Sequence, residues 1–197
     1  MDKQPFLNRF ILFKQQLDTD LHSSKKSIYK QQKGFKQAAV LIPFVNSATG
    51  INILFTERAL HLRHHPGQIS FPGGKHEASD NSLLDTALRE TEEEIGILQG
   101  QVDIFGRLPS LSTISGFTIN PYLGFIDSDY QLSIDKQEVR SVFEVPLSYL
   151  LDSKNFHKQH LVANKQRHYT FCIRYQNRLI WGATAQILHN LQQQIWQ

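Results

Sequence analysis

Four glutamates lie within five positions of a segment whose apolar residues follow helical spacing. The segment runs from Gly73 to Ile97, and the glutamates are Glu90, Glu92, Glu93 and Glu94. The apolar side of the same segment is formed by Leu83, Leu84, Ala87, Leu88, Thr91 and Ile95. Steps of one, three and four residues predict an amphipathic helix with one side on a core. Asn81 or Ser82 can cap its start, and Gly96 can end it.

The directions of the glutamates on this helix bear on their role. Glu90 and Glu94 project within about 40° of each other, and Glu93 lies about 60° further round. Glu90 and Glu94 border the apolar stripe, whereas Glu92 and Arg89 point to the far side. Like charges four residues apart cost roughly 0.2 to 0.5 kcal/mol per pair, and a hard cation such as Mg²⁺ removes that cost. Spacing alone leaves a metal site and a solvated acidic face equally open.

The residues around the cluster resemble the signature of the Nudix hydrolases, G-x5-E-x7-R-E-U-x-E-E-x-G-U, in which U is a bulky apolar residue. Gly74 opens the signature, and its second half is matched by Arg89, Glu90, Glu93, Glu94, Gly96 and Ile97. The first half departs from it, because Asp80 replaces a glutamate and eight residues instead of seven separate Asp80 from Arg89. Thr91 also stands where an aliphatic residue is usual.

A second resemblance lies upstream, in the run from Leu54 to Gly74. It is similar to the motif L-[LF]-T-x-R-[SA]-x3-R-x3-G-x3-F-P-G-G of the coenzyme A pyrophosphatase branch of the Nudix hydrolases. The matching residues are Leu54, Thr56, Arg58, Ala59, Arg63, Gly67, Phe71, Pro72, Gly73 and Gly74. That branch carries the signature with one extra residue, so the longer spacing supports the likeness. Looser similarity extends it to about Ala38 to Leu191.

Strands in runs with helices between them, and no regular βαβ repeat, favour an α+β fold. The resemblance implies more specifically a Nudix-like α/β/α sandwich with a mixed sheet and the acidic helix on one face. Apolar residues from Phe6 to Leu17 predict a first amphipathic helix. We therefore expect an N-terminal helix and polar connector over residues 1–35 and a Nudix domain over residues 36–197.

Chemistry can be assigned to residues on this basis. Diphosphate linkages resist hydrolysis because their anionic oxygens repel a nucleophile, and Mg²⁺ or Mn²⁺ both neutralises those oxygens and acidifies water. Glu90 and Glu94 are the expected main metal ligands, with Glu93 next, as the resemblance also implies. Glu93 and Glu138 are candidates for the general base, with Glu144 behind them, and we rank Glu138 first.

Five further residues are expected to assist. Arg89 could pair with a neighbouring glutamate and fix its conformation, although an ordinary surface arginine is the alternative. Gly73 and Gly74 permit close approach of the backbone to a ligand, although a plain turn is the alternative. Arg58 and Arg63 carry guanidinium groups suited to phosphate oxygens.

The expected activity is metal-dependent hydrolysis of coenzyme A or its derivatives to 3',5'-ADP and 4'-phosphopantetheine or acyl-phosphopantetheine. One alternative is a broader nucleoside-diphosphate hydrolase that acts on ADP-ribose, dinucleotides or noncanonical triphosphates. A catalytically silent nucleotide-binding module is a second alternative, which the presence of Glu90, Glu93 and Glu94 disfavours.

Composition agrees with one enzyme domain. The chain of 197 residues is 40% hydrophobic and has one cysteine, Cys172, so no internal disulfide can form.

The net charge of +3 comes with lysines clustered in Lys25 to Lys36. They are better explained as a solvated connector, because they do not form a long cationic run. The apolar residues near the start are interrupted by Asn8, Arg9 and Lys14, unlike those of a secretion signal, and no stretch is long enough to span a bilayer. We expect a cytoplasmic protein with a small-molecule substrate and neither nucleic acid nor membrane as partner; a homodimer is left open.

Overall fold

The computed structural model describes residues 3–11, 34–127, 129–163 and 166–196. The helices of this part of the chain are α1 over residues 3–11, α2 Leu83–Ile95, α3 Leu147–Leu151 and α4 Ala183–Trp196. Its strands are β1 Lys36–Ser47, β2 Gly50–Arg58, β3 Ile69–Ser70, β4 Gly73–Lys75, β5 Val102–Arg107, β6 Leu111–Ser112, β7 Phe117–Ile126, β8 Val139–Pro146, β9 His157–Ala163, β10 Gln166–Tyr175 and β11 Arg178–Trp181.

A mixed sheet forms the centre of the molecule. Its strands follow the order β3-β2-β1-β7-β5, with β8 paired to β2, β4 to β1 and β6 to β7. The pairing of β1 with β7 is parallel, and the other pairings in this sheet are antiparallel. A second sheet has the order β11-β10-β9. Helices pack on both faces of the mixed sheet, which confirms the expected α+β sandwich.

The two faces follow from the alternation of side chains along the strands. On β1, Leu41 and Val45 face α2, whereas Ile42 and Phe44 face a larger core on the opposite side. The larger core also takes buried residues of α3 and α4, such as Leu150 and Leu188. The acidic helix α2 therefore lies on one face of the sheet, as expected, and it is the one described helix that packs on that side.

Helix α1 packs into the larger core. Phe6 and Phe10 are fully buried, and the Phe6 ring lies 5.1 Å from the ring of Phe44 and 5.8 Å from that of Phe105. Lys3 adds an ion pair with Asp103 at 3.6 Å. The predicted N-terminal helix is present over residues 3–11, while its predicted continuation to Leu17 and the polar connector lie outside the described residues. The division at residues 35 and 36 stays a prediction.

One detail of the fold differs from the sequence-based expectation. The sequence allowed a plain turn at Gly73 and Gly74, yet Gly73–Lys75 forms β4 and pairs with β1. Long-range pairing with an existing strand determines this, and local glycine content cannot reveal it.

Cys172 is a buried free thiol, as expected. Within the described ranges, no helix has the length and apolar character needed to cross a bilayer.

Candidate functional site

Helix α2 has the predicted ends. The Ser82 hydroxyl accepts a hydrogen bond from the Asp85 amide at 3.1 Å, which satisfies a free N–H of the first turn. Gly96 ends the helix with φ 77°, and its N–H donates to the Glu92 carbonyl at 2.9 Å. Thr91 is fully buried, and its hydroxyl donates to the Ala87 carbonyl. A threonine therefore fits a position where an aliphatic residue is usual.

Glu94 is the most unusual residue of the helix, because its carboxylate is buried. Only 4% of Glu94 is exposed, and its Oε2 has no hydrogen-bond partner among the described residues. Burial, and then the nearby charges of Glu90 and Glu138, raise the pKa of Glu94 to about 8. Arg58 and the Gly73 amide act in the opposite direction. An unpaired buried carboxylate is costly, so this position calls for a cation.

Glu90 lies beside Glu94 and packs directly on Gly74. A methyl group added at Gly74 would come within 2.3 Å of the Glu90 carboxyl carbon, so only glycine leaves room for this side chain. The Glu90 side chain is 16% exposed, and its Oε1 lies 3.1 Å from Arg89 Nη2. Burial raises the pKa of Glu90, and Arg89 partly offsets that increase.

Arg89 connects three acidic side chains. Its Nε donates to Asp80 Oδ1 at 2.8 Å and its Nη2 to Asp80 Oδ2 at 3.1 Å. Its Nη1 donates to Glu93 Oε2 at 2.8 Å, and Nη2 contacts Glu90. The predicted pairing with neighbouring glutamates is present. The expectation that Arg89 points away from the glutamates that flank the core was wrong, because its guanidinium contacts both Asp80 and Glu90.

Asp80 anchors this arginine. Its side chain is 3% exposed and also accepts hydrogen bonds from the Thr86 hydroxyl at 2.8 Å and the Glu77 amide at 2.9 Å. The Arg89 guanidinium, followed by these donors, holds the pKa of Asp80 well below its usual range. Asp80 was noted in the sequence only as a departure from the signature. Asp80 lies before α2, which begins at Leu83, and its short side chain still reaches the arginine.

Glu92 and Glu93 lie on the exposed side of α2. Glu92 is exposed, as the helical geometry predicts. The Glu93 side chain is 59% exposed and forms the ion pair with Arg89. It is still close enough to Glu90 to raise the pKa of that residue. Glu93 therefore lies at the outer rim of the acidic cluster.

The structure brings Glu138 to the same cluster. It is exposed, and its charge raises the pKa of both Glu90 and Glu94. Its backbone is held by the Ala59 amide, which donates to the Glu138 carbonyl at 2.8 Å. Glu144, the other candidate from this region, is engaged elsewhere, because Tyr130 donates to it at 2.6 Å and Asn52 at 2.7 Å. Neither partner of Glu144 was expected from the sequence.

The two predicted phosphate-binding arginines have different surroundings. Arg58 ends β2 and lies close enough to Glu94 to lower the pKa of that carboxyl. Arg63 is exposed in the loop between β2 and β3, and in the described part of the chain no hydrogen bond or ion pair joins it to the acidic cluster. The Gly73 amide faces Glu94, so close approach of backbone to the cluster is present at this position.

The donor set fits a hard divalent cation. Within the described ranges, no group of three or more His, Cys, Asp or Glu side chains is assembled as a ready metal cage. Mg²⁺ does not require one, because it is commonly held by one or two carboxylates while waters and substrate oxygens complete the octahedron. Glu90 and Glu94 offer such a pair, and the orphaned Oε2 of Glu94 is an open oxygen donor.

Comparison with known proteins agrees with these features. The family model described as the NUDIX domain matches residues 35–164. The chain is 37% identical over 190 residues to a protein of Enterobacter sp. (strain 638) named uncharacterized Nudix hydrolase NudL, with 96% of this chain and 93% of the relative covered. It is 38% identical over 191 residues to the NudL protein of Yersinia pestis (strain Pestoides F), with the same coverage.

A solved structure gives the same result for the fold. The crystal structure of the Nudix hydrolase RenU from M. smegmatis superposes with a TM-score of 0.50 at 17% identity, over 64% of this chain and 80% of that chain. The similarity at this identity concerns the fold alone. Together with the family model and the NudL relatives, it shows that this chain belongs to the Nudix hydrolase family.

Proposed function

We propose that this Nudix hydrolase cleaves the diphosphate bond of coenzyme A and its derivatives with the help of Mg²⁺ or Mn²⁺. The products are 3',5'-ADP and 4'-phosphopantetheine, or acyl-phosphopantetheine when the thiol is acylated. The observation that carries the metal-dependent part is the buried Glu94 carboxylate, whose Oε2 lacks a partner among the described residues. The choice of coenzyme A rests on the resemblance of Leu54 to Gly74.

Glu90 and Glu94 are the proposed ligands of the cation, and Glu93 ranks after them because it is exposed and paired with Arg89. A bound divalent cation would neutralise phosphate oxygens and make a water molecule more acidic. Arg89 positions Glu90 and Glu93 through its contacts with both, while Asp80 holds the arginine itself. Gly74 leaves the space that the Glu90 carboxylate occupies.

Glu138 is the proposed general base. It lies at the cluster without a side-chain partner among the described residues, so its carboxylate can accept a proton from the attacking water. The water oxygen bonds to phosphorus as the bridging P–O bond breaks, and the departing phosphate oxygen carries the electron pair. Glu144 is a poorer candidate, because Tyr130 and Asn52 occupy its two oxygens.

Arg58 is the proposed phosphate ligand. Its guanidinium lies close enough to Glu94 to lower the pKa of that carboxyl. It can therefore bind an anionic oxygen of the diphosphate beside the cation. Arg63 and the Gly73 and Gly74 backbone are further substrate contacts implied by the upstream resemblance. Arg63 lies in a surface loop, from which a long substrate could be reached.

Product analysis on a panel of diphosphates tests this proposal. Purified protein with Mg²⁺ or Mn²⁺ is incubated with coenzyme A, acetyl-coenzyme A, ADP-ribose and a dinucleotide, and products are separated by chromatography. We expect 3',5'-ADP from both coenzyme A substrates and the highest kcat/KM for one of them. A higher kcat/KM for ADP-ribose would overturn the coenzyme A assignment. Nucleotide binding without turnover under either metal would indicate a silent binding module.

A further inference from the structure

A cleft on the opposite face of the sheet from the acidic cluster contains none of the residues proposed above to hold the cation, act as the base or bind the diphosphate. It has a volume of about 450 Å³ and lies between the β2–β8 edge and the β10–β11 hairpin. Glu57 and Arg140 line it from the sheet, and Asn177, Arg178 and Trp181 line it from the hairpin.

Arg178 is the cationic group of this cleft that has no acidic partner. Arg140 Nη1 pairs with Glu57 Oε1 at 2.8 Å, and the Ser141 hydroxyl donates to Glu57 Oε2 at 2.8 Å. Both oxygens of Glu57, the acidic residue that lines the cleft, therefore already have partners. Arg178 makes no ion pair within the described ranges, and its Nε is shielded from solvent without a hydrogen-bond partner there. The cleft therefore carries net positive charge.

The Arg178 guanidinium is held in place by an aromatic ring. It lies 4.2 Å from the centroid of Phe143, a β8 residue that packs on the larger core. Contact with the ring restricts the orientation of the guanidinium, whose planar set of N–H groups suits bidentate binding of phosphate. Trp181, with 36% of its surface exposed, adds a flat apolar wall to the same cleft.

The cleft lies close to the acidic cluster around the edge of the sheet. Glu57 and Arg58 are consecutive on β2; Glu57 lines the cleft, whereas Arg58 lies close enough to Glu94 to lower the pKa of that carboxyl. Gly67, which lines the cleft, donates its N–H to the Arg58 carbonyl at 3.2 Å. A ligand with well-separated phosphates could reach both faces by passing around the end of β2.

We propose that this cleft is a second anion-binding subsite, which takes the phosphate monoester of a nucleotide on Arg178 and stacks its base on Trp181. The phosphate has two possible sources. It belongs either to the substrate, as the 3'-phosphate of coenzyme A does, or to a free nucleotide that binds independently of turnover. The first source rests on the proposed function, and the second does not.

Tryptophan fluorescence tests the subsite directly. The chain has two tryptophans, so Trp196→Phe leaves Trp181 as the single indole. This protein is titrated with 3',5'-ADP and with adenosine in the presence of EDTA, which keeps divalent metal out of the acidic cluster. We expect 3',5'-ADP to change Trp181 emission and adenosine to bind at least about tenfold more weakly, because it lacks the charged hydrogen-bond partner.

Variants of the arginine complete the binding test. Arg178→Gln, made in the Trp196→Phe background, should weaken 3',5'-ADP binding about tenfold or more, and Arg178→Lys should weaken it less. Arg174→Gln is the matched control, since Arg174 is an exposed arginine of the same hairpin outside the cleft, and it should bind normally. Thermal melts check that each variant is folded. Equal affinity in Arg178→Gln and its parent, or no response to 3',5'-ADP at millimolar concentration, would overturn the subsite.

Kinetics with two substrates distinguishes a phosphate that belongs to the substrate from one that belongs to a free nucleotide. Coenzyme A and dephospho-coenzyme A differ only in the 3'-phosphate. If the subsite binds the substrate, Arg178→Gln raises the KM for coenzyme A about tenfold, with little change in kcat and none for dephospho-coenzyme A. If it binds a free nucleotide, both KM values stay unchanged while 3',5'-ADP binding is lost. If neither substrate is hydrolysed, the proposed function fails, and the fluorescence titration still decides the subsite.

Discussion

Arg89 donates two hydrogen bonds to Asp80, from Nε to Oδ1 at 2.8 Å and from Nη2 to Oδ2 at 3.1 Å. The aspartate is almost fully enclosed, so the pair fixes the guanidinium in one orientation. The same guanidinium also contacts Glu90, the next residue of α2, and Glu93, one turn further along the helix. A residue that departs from the family signature thus organises the acidic cluster.

Asp80→Asn should weaken both stability and activity. The neutral amide removes the charge that holds Arg89, so we expect a loss of about 2 kcal/mol in the free energy of unfolding. Misplacement of Glu90 should lower activity by roughly 10- to 100-fold. Urea denaturation and initial rates with the active substrate measure the two effects. Asp129→Asn, at an exposed position, is the control and should change neither quantity.

The stability difference between wild type and Asp80→Asn should depend on pH. Because the folded-state pKa of Asp80 lies below the ordinary value of 3.8, its ionised form stabilises the folded state above that value. The contribution is then lost as the pH falls below 3.8 toward the folded-state pKa. Denaturation at pH 7 and at pH 3 should show a full difference at neutral pH and a smaller one in acid. A difference that grows in acid would contradict this sign.

Glu94→Gln should nearly abolish metal-dependent hydrolysis without unfolding the protein. Loss of a main ligand should lower kcat/KM roughly 10³-fold, which corresponds to about 4 kcal/mol of transition-state stabilisation. Folding should not suffer, because the substitution replaces a buried carboxylate whose pKa is raised to about 8 with a neutral side chain of similar size. Glu92→Gln, on the exposed side of α2, is the matched control. Activity retained by Glu94→Gln would remove Glu94 from the proposed ligands.

Gly74→Ala should lower activity while leaving stability nearly unchanged. The added methyl group would come within 2.3 Å of the Glu90 carboxyl carbon, so the end of that flexible side chain has to move. We expect activity to fall by roughly 10- to 100-fold, as for other changes that misplace a metal ligand, while the melting temperature changes little. Gly100→Ala, where an added methyl group would meet nothing within 4 Å, provides the comparison. Equal activity of the two variants would show that the position of Glu90 is unimportant.

Phe6→Ala should destabilise the whole domain. The ring is fully buried among Phe10, Phe44 and Phe105, and its loss leaves a cavity that costs about 3 kcal/mol. A single cooperative unfolding transition at lower denaturant concentration is the expected result. Ile11→Ala, on a residue that is 50% exposed, should have little effect. An unchanged midpoint for Phe6→Ala would mean that α1 contributes nothing to folding of the rest.

The features of the site that could be predicted from the sequence all lie on one helix, α2. The caps at Ser82 and Gly96, the exposure of Glu92 and the shared flank of Glu90 and Glu94 all follow from helical periodicity and short-range capping. These are local properties that depend on neighbours within about four residues. The strand β4 at Gly73–Lys75 was missed because its structure comes from pairing with a distant strand.

The sequence by itself determined the family, the acidic helix and the main candidates for the metal ligands, because these reside in contiguous motifs. The tertiary structure alone decided that Glu138 and Arg58 reach Glu94, that Asp80 holds Arg89, and that Glu144 is occupied by Tyr130 and Asn52. It also decided that Arg178 stacks on Phe143 beside a cleft. The physical reason is that strand pairing brings together residues far apart in the chain, and no local pattern encodes those pairings.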